Sequence, residues 1–286
     1  MNVLINFKWF FLLSLYLFVP AVSQAQQPAH AAIRIRIGGS GGALGTLQLL
    51  ADAFKKIHPH ASFVIVPSLG SGGGIKALQA GAIDLAVISR PLKDSERGPG
   101  ILATEYARTP VVFAVAVTTN VSAITTPELV SIYAGERKTW ADGQPLRLVL
   151  RPDDESDTEI VRSVSPGMNQ AVTAAQARQG MIIALTDKAN AESLETIPGA
   201  VGTTTLAQII SEKRGLRPLA LDGDSPSLAT LVNGKYGYYK TFFTVSGSWT
   251  PPSAHQFAAF VRSPAGRDIL EKNGHWVAPP KWARPA

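Results

Sequence analysis

The sequence predicts an α/β protein. Strand-like and helix-like patterns alternate along its 286 residues. Short continuous apolar runs read as strands covered on both faces, and glycine-rich junctions stand where strands pass into helices.

Each element has its own signal. Ile33-Arg34-Ile35-Arg36-Ile37 alternates with period two, as a strand does. Leu44, Leu47, Leu50, Ala51, Phe54 and Ile57 put one apolar face on a helix over 43–57, which Pro59 ends. Phe63 to Pro67 is a second strand, and Ser68 to Gly74 is a loop before a helix over 75–80 that Gly81 stops. Ile83 to Ser89 is a buried strand ending at Arg90-Pro91, and Val111 to Val117 is a β-branched central strand. Pro127 opens a helix that runs through Tyr133. Leu146 to Leu150 is a strand ending at Arg151-Pro152, followed by helices over 156–164 and 170–179 and a strand from Ile182 to Leu185. Val201, a helix near 205–213, a strand over 218–222, a short helix from Ser225 to Val232 and a strand from Tyr238 to Val245 come next. Helices near 253–262 and 264–273 precede a proline-rich tail.

Residues 1–25 read as a secretion leader. Lys8 is its one charge, Trp9 to Val22 is almost wholly apolar, and Ser23-Gln24-Ala25 offers small residues for cleavage after Ala25. Ser14, Tyr16 and Pro20 interrupt the apolar run, which is short for a membrane span. The expected product is a periplasmic chain from Gln26 onward. The absence of cysteine excludes disulfides, a lipidated cysteine, thiolate metal sites and cysteine nucleophiles. No metal and no cofactor is expected, since His58 and His60 share only the Pro59 turn with no acid beside them. The formal net charge of +6 is scattered, with no long basic run, so nucleic acid is not an expected partner. A monomer is expected.

Ligands of such folds bind beyond the carboxyl ends of strands, and three polar junctions stand there. Ser71 with Gly72 and Gly73 lies between a strand and a helix, where free N–H groups and the helix dipole suit an anion. Arg90 follows a buried strand and Arg151 repeats the arrangement in the second half of the chain, each with a guanidinium able to fork onto an oxyanion. Ser156 and Thr158 follow Arg151 and either cap the helix that starts there or bind.

With these residues in view, the chain resembles the phosphate-binding periplasmic proteins of ATP-binding-cassette transporters over most of its length. The resemblance lies in Gly38-Gly39-Ser40-Gly41-Gly42 after the first strand, Gly70 to Ile75, Gly81 to Asp84, Ser89-Arg90-Pro91, Arg151 with Ser156-Asp157-Thr158, Tyr236 to Val245, Ser263 to Gly266, and Gly274. It implies a two-lobed fold with a ligand cleft between two mainly parallel sheets. Lobe one would hold 26–112 and 222–286, lobe two 113–221. It implies an oxyanion ligand, phosphate first, held by Ser40, Gly41, Gly42, Ser71, Gly72, Gly73 and Arg90 from lobe one and by Arg151, Ser156 and Thr158 from lobe two. A membrane permease would be the partner, and no catalysis is implied.

Two departures from the family pattern stand out. Asp157 replaces the glycine of Ser-Gly-Thr and Glu155 the glycine before the serine, so that Asp153, Asp154, Glu155 and Asp157 lie beside the expected anion. Arg90 stands where some members carry an aspartate that accepts the proton of hydrogen phosphate. Three other readings stay open: a binding protein for another oxyanion, a periplasmic ligand sensor, and a secreted serine hydrolase. The last takes Gly38 to Gly42 as G-x-S-x-G, with Ser40 as nucleophile and His255 or His275 as base, although both histidines read as surface residues.

Overall fold

The computed structural model describes residues 33–278; the expected leader and the proline-rich end lie outside the described residues. The first half of the chain builds β1 (Ile33–Gly39), α1 (Leu44–Ile57), β2 (Ala61–Ile65), α2 (Gly70–Gln79), β3 (Leu85–Ile88) and β4 (Leu102–Ala116). β1 pairs in parallel with both β2 and β3. Asp84 fixes this pairing chemically: its carboxylate accepts from the Arg36 N–H at 2.7 Å and from the Arg36 guanidinium at 2.6 Å.

The middle of the chain adds β5 (Ala123–Ile124), α3 (Thr126–Ala134), β6 (Arg147–Leu150), α4 (Ser156–Ser163), α5 (Pro166–Ala177), β7 (Ile182–Ile183), α6 (Asp187–Thr196) and β8 (Ala200–Thr205). Then come α7 (Leu206–Ser211), β9 (Leu216–Pro218), β10 (Ala220–Leu221) and α8 (Leu228–Val232). The chain returns as β11 (Tyr239–Ser246), α9 (Pro252–Val261) and α10 (Pro264–Lys272).

The large sheet runs β2-β1-β3-β11-β4-β8-β6-β7, with β9 also on β4. Pairing is parallel toward both ends, and β4 and β11 run antiparallel through the middle. β4 serves both halves. Residues 102–110 pair with β11, residues 111–115 with β8, and Pro110 stands at the change of partner.

Strand alternation divides the core into layers. In β3, Leu85 and Val87 face the α1 and α9 side, with Leu47, Phe54 and Phe257; Ala86 and Ile88 face Ile75 and Leu78 of α2. In β4, Phe113 and Val115 join Leu129, Tyr133 and Met168, and Val112 and Ala114 join Leu194 and Ile209. Strands buried on both faces explain the continuous apolar runs.

Several expected elements move. The glycines Gly70, Gly72, Gly73 and Gly74 are the first turns of α2 rather than a loop before it. Glycine disfavours a helix by about 1 kcal/mol per residue relative to alanine. Close packing explains their use: a Cβ on Gly74 would lie 2.7 Å from the Gly39 Cα, so only glycine lets α2 rest on β1. β4 begins nine residues before Val111, through Glu105 and Arg108, which are poor strand formers held in place by the β11 ladder. The helix α6 was not expected, and the strand expected over 218–222 divides into β9 and β10 around the buried Leu219. His275, expected at the surface, is wholly buried, whereas His255 is exposed on α9. Among the described residues no helix is long and apolar enough to cross a membrane.

Phe257 is wholly buried, with its ring edge-on to Phe54 at 5.4 Å and to Phe63 at 4.8 Å. Phe257→Ala is expected to cost about 3–5 kcal/mol, read as a lowered midpoint in urea unfolding with an unchanged slope.

Candidate functional site

The strand directions gather the polar junctions. β1, β2 and β3 are parallel, so Ser40, Ser68 and Ser89 all follow carboxyl ends on one edge. β6 and β8 are parallel and deliver Arg151 and Thr205 in the same way. β11 runs against β3, so its first turn brings Lys240 to this edge too.

The ten expected residues fall into two groups. Ser71, Gly72, Gly73, Arg90 and Ser156 line one cavity of about 520 Å³, together with Lys76, Lys93, Glu96, Asp154 and Glu155. A line of hydroxyls joins two of its lining residues, Ser71 and Ser156. The Ser89 N–H donates to Ser71 Oγ at 3.1 Å, Ser71 Oγ lies 3.2 Å from Ser89 Oγ, and Ser89 Oγ lies 3.3 Å from Ser156 Oγ. Ser71 sits in the first turn of α2 and Ser156 opens α4, so two helix starts with free N–H groups meet through Ser89. Arg90 lies beside Gly72, but its guanidinium forks onto Glu96, with both N–O distances 2.7 Å. That fork holds the Glu96 carboxyl below its usual range.

Ser40, Gly41, Gly42, Arg151 and Thr158 do not line this cavity. The Ser40 N–H donates to the Val87 carbonyl at 2.8 Å. Gly41 and Gly42 face a carboxylate of the chain itself: a Cβ on Gly41 would come within 2.6 Å of Asp187 Oδ2 and 2.5 Å of Ser68 Oγ. Thr158 Oγ1 donates to the Pro152 carbonyl at 2.8 Å, which commits its proton to the α4 entry.

Arg151 is the centre of a buried ionic cluster. Its Nε lies 3.4 Å from Asp157 Oδ2, its Nη2 lies 3.7 Å from both Glu155 Oε1 and Asp187 Oδ1, and its Nη1 donates to the Ala184 carbonyl. Lys240 Nζ lies 2.7 Å from Asp157 Oδ1 and 3.9 Å from Asp187 Oδ1. Of the four carboxylates expected beside the ligand, Asp157 thus turns inward, Asp153 pairs outward with Arg162, and Asp154 is exposed.

Opposed terms set the protonation here. Burial pushes Asp157 upward, but Lys240 and Arg151 outweigh it and hold its pKa below the usual range. Burial pulls Lys240 down, yet Asp157 and Asp187 hold it above an ordinary lysine. Glu155 is raised by burial and by the charges of Asp187 and Asp157, against the pull of Arg151 and Lys240. Among the described residues no cluster of three or more histidine and acidic side chains is suited to a metal.

Ser89, Lys240 and Asp187 are the residues that sequence reasoning missed. Ser89 lay in plain view before Arg90. Lys240 shares the inward parity of Phe242 and Thr244 along β11, a signal that period-two reading carries. Asp187 follows Thr186, whose Oγ1 accepts from the Ala189 N–H as a helix cap.

A family model described as a PBP superfamily domain matches residues 25–265. The chain belongs to this family. Among PBP relatives, it is 24% identical over 247 residues to the phosphate-binding protein PstS of Borreliella burgdorferi, covering 84% of this chain and 88% of that one. A crystal structure from Clostridium perfringens, with bound phosphate and assigned to a phosphate ABC transporter as its substrate-binding protein, superposes with a TM-score of 0.71. It shares 22% identity, over 86% of this chain and 100% of its own. An ABC-type phosphate transport receptor from Vibrio cholerae superposes with a TM-score of 0.60 at 19% identity, over 86% and 100% of the two chains. These structures establish the shared PBP fold.

The hydrolase arrangement has no counterpart. Among the described residues no hydrogen bond joins Ser40 to a histidine. His275 Nε2 lies 2.9 Å from Thr46 Oγ1, and its ring meets Phe242 edge-on at 5.5 Å. Burial pushes the His275 pKa down to about 3. A histidine neutral when folded and protonatable when unfolded withdraws stability as pH falls below its ordinary value. Between about pH 6 and pH 4 the protein is expected to lose about 1.4 kcal/mol per pH unit more than His275→Gln does. Urea unfolding of both proteins across that range measures the difference, and parallel pH curves would refute it.

Proposed function

We propose that this PBP-family chain is a solute-binding protein that captures an oxyanion, phosphate foremost, in the cleft where its strand ends meet, and delivers it to an ATP-binding-cassette permease. The observation that carries this reading is the hydroxyl line Ser71–Ser89–Ser156, which joins two helix N-termini and whose end residues line a cavity of about 520 Å³. Hydroxyls and free N–H groups in a partly buried site stabilise an oxyanion through donors that carry no charge of their own. The phosphate-binding relatives support phosphate as the first ligand to test.

In this reading the two halves of the sheet act as lobes, with the exchange of partners in β4 at Pro110 as one crossing. The segment from Tyr236 to Tyr239 is the other, in place of the return near Pro218–Asp222 that the family resemblance implies: the Tyr236 hydroxyl donates to the Val111 carbonyl at 2.8 Å, and the Val111 N–H donates to the Tyr238 carbonyl at 2.9 Å. The first lobe offers Ser71 and the α2 amides, and the second closes with Ser156. The chain works after export, with residues 1–25 removed, and as a monomer. Its mechanism is capture, closure and docking rather than turnover.

Calorimetry of the purified protein against phosphate, sulfate, molybdate and small carboxylates tests the reading. Phosphate is expected to bind, and Ser71→Ala to weaken it about tenfold or more, from the ~1.5–3 kcal/mol of a hydrogen bond to a charged group. Binding of a carboxylate alone, or a Ser71→Ala affinity equal to that of the parent, would overturn it.

A further inference from the structure

The two buried cations of the cleft are already neutralised by the chain. Asp157 places Oδ1 2.7 Å from Lys240 Nζ and Oδ2 3.4 Å from Arg151 Nε, and all three side chains are at most 3% exposed. The three come from different elements: Arg151 follows β6, Asp157 lies in the first turn of α4, and Lys240 starts β11. A carboxylate held between a guanidinium and an ammonium at a helix start has the chemistry of a bound oxyanion. Asp187 stands in the same relation to the first glycine loop, against Gly41.

We infer that Asp157 is an internal anion, occupying the subsite between Arg151 and Lys240 that an oxyanion would otherwise take. An incoming anion that left Asp157 in place would meet Asp157, Asp187 and Glu155 against only Arg151 and Lys240. Like charges in a poorly solvated space oppose its entry. To be held by the two cations, the ligand must displace the Asp157 carboxylate. Binding in the hydroxyl-lined cavity alone needs no such displacement, so what the two cations add to the affinity is a difference between two anions competing for them, and residue 157 sets that addition. This inference rests on the oxyanion reading above.

Asp157→Asn tests it. The amide keeps the size of the side chain and an acceptor oxygen for Lys240 while removing the charge. Inorganic phosphate is titrated calorimetrically into the parent protein, Asp157→Asn and Ser71→Ala, each expressed from the full-length sequence. The expected result is at least tenfold tighter phosphate binding by Asp157→Asn than by the parent. If Asp157→Asn binds phosphate no more tightly than the parent, while Ser71→Ala still weakens binding, the internal-anion assignment is overturned and the oxyanion reading stands. If neither the parent nor Asp157→Asn binds phosphate, both are overturned. Loss of the Asp157 charge between two buried cations can also unfold the variant, so its melting is followed after refolding with and without phosphate. Phosphate is expected to restore a cooperative transition, and failure to do so overturns the inference.

Discussion

Lys240 enters the cleft from a strand that packs on the first half of the sheet, and Asp157 enters from a helix of the second. Their pair, 2.7 Å long and shut away from water, ties the two halves together where strand ends meet. Taking two charges out of water costs several kcal/mol per ion, and the attraction between them offsets this only while both partners stay in place. Removing one partner of such a pair commonly costs about 3–5 kcal/mol, because the other is left charged and unsolvated. Arg151, Asp187 and Glu155 complete the cluster as two cations against three carboxylates, and its position at the strand edge places the hydroxyl-lined cavity beside it rather than over it.

The chain treats its helix starts in two ways. α2 begins with glycines and a serine, and its free amides face the cavity. α4 and α6 carry Asp157 and Asp187 in their first turns, which brings negative charge to their own positive ends. Arg90 follows the second pattern by forking onto Glu96. Arg90, Arg151 and Lys240 are thus satisfied internally, while Ser71 and Ser156 line the cavity together with Lys76 and Lys93.

Elements with a clean period were legible. β1, α1, β3 and β6 stand close to where alternation and apolar runs put them, because their burial is regular. The first half of β4 was not legible, since Glu105, Arg108 and Pro110 follow no strand pattern and are held by pairing with β11, far away in sequence. α6 was hidden because its sequence, Asp187-Lys188-Ala189-Asn190-Ala191, has few apolar residues to carry a period; its contacts with β8 and β4 hold it instead. For the site, residue type and junction position marked Ser71, Arg90, Arg151 and Ser156 as candidates, and the fold brings Ser71, Arg90 and Ser156 to one cavity. Neither reveals which neighbour satisfies each charge. Only the folded geometry pairs Arg90 with Glu96 and sets Asp157, one residue after Ser156, between two cations.

Pro110 has a mechanical consequence. A proline nitrogen carries no hydrogen, so it donates nothing to a ladder, and this residue falls where β4 leaves β11 for β8. Bending β4 at residue 110 breaks no bond donated from that position, and beyond Val111, whose N–H donates to the Tyr238 carbonyl, the rungs pass to β8. The continuous strand therefore has a built-in point of low stiffness. Flexing there would tilt one set of strand ends toward the other, with the Val111–Tyr238 bond as the rung it strains.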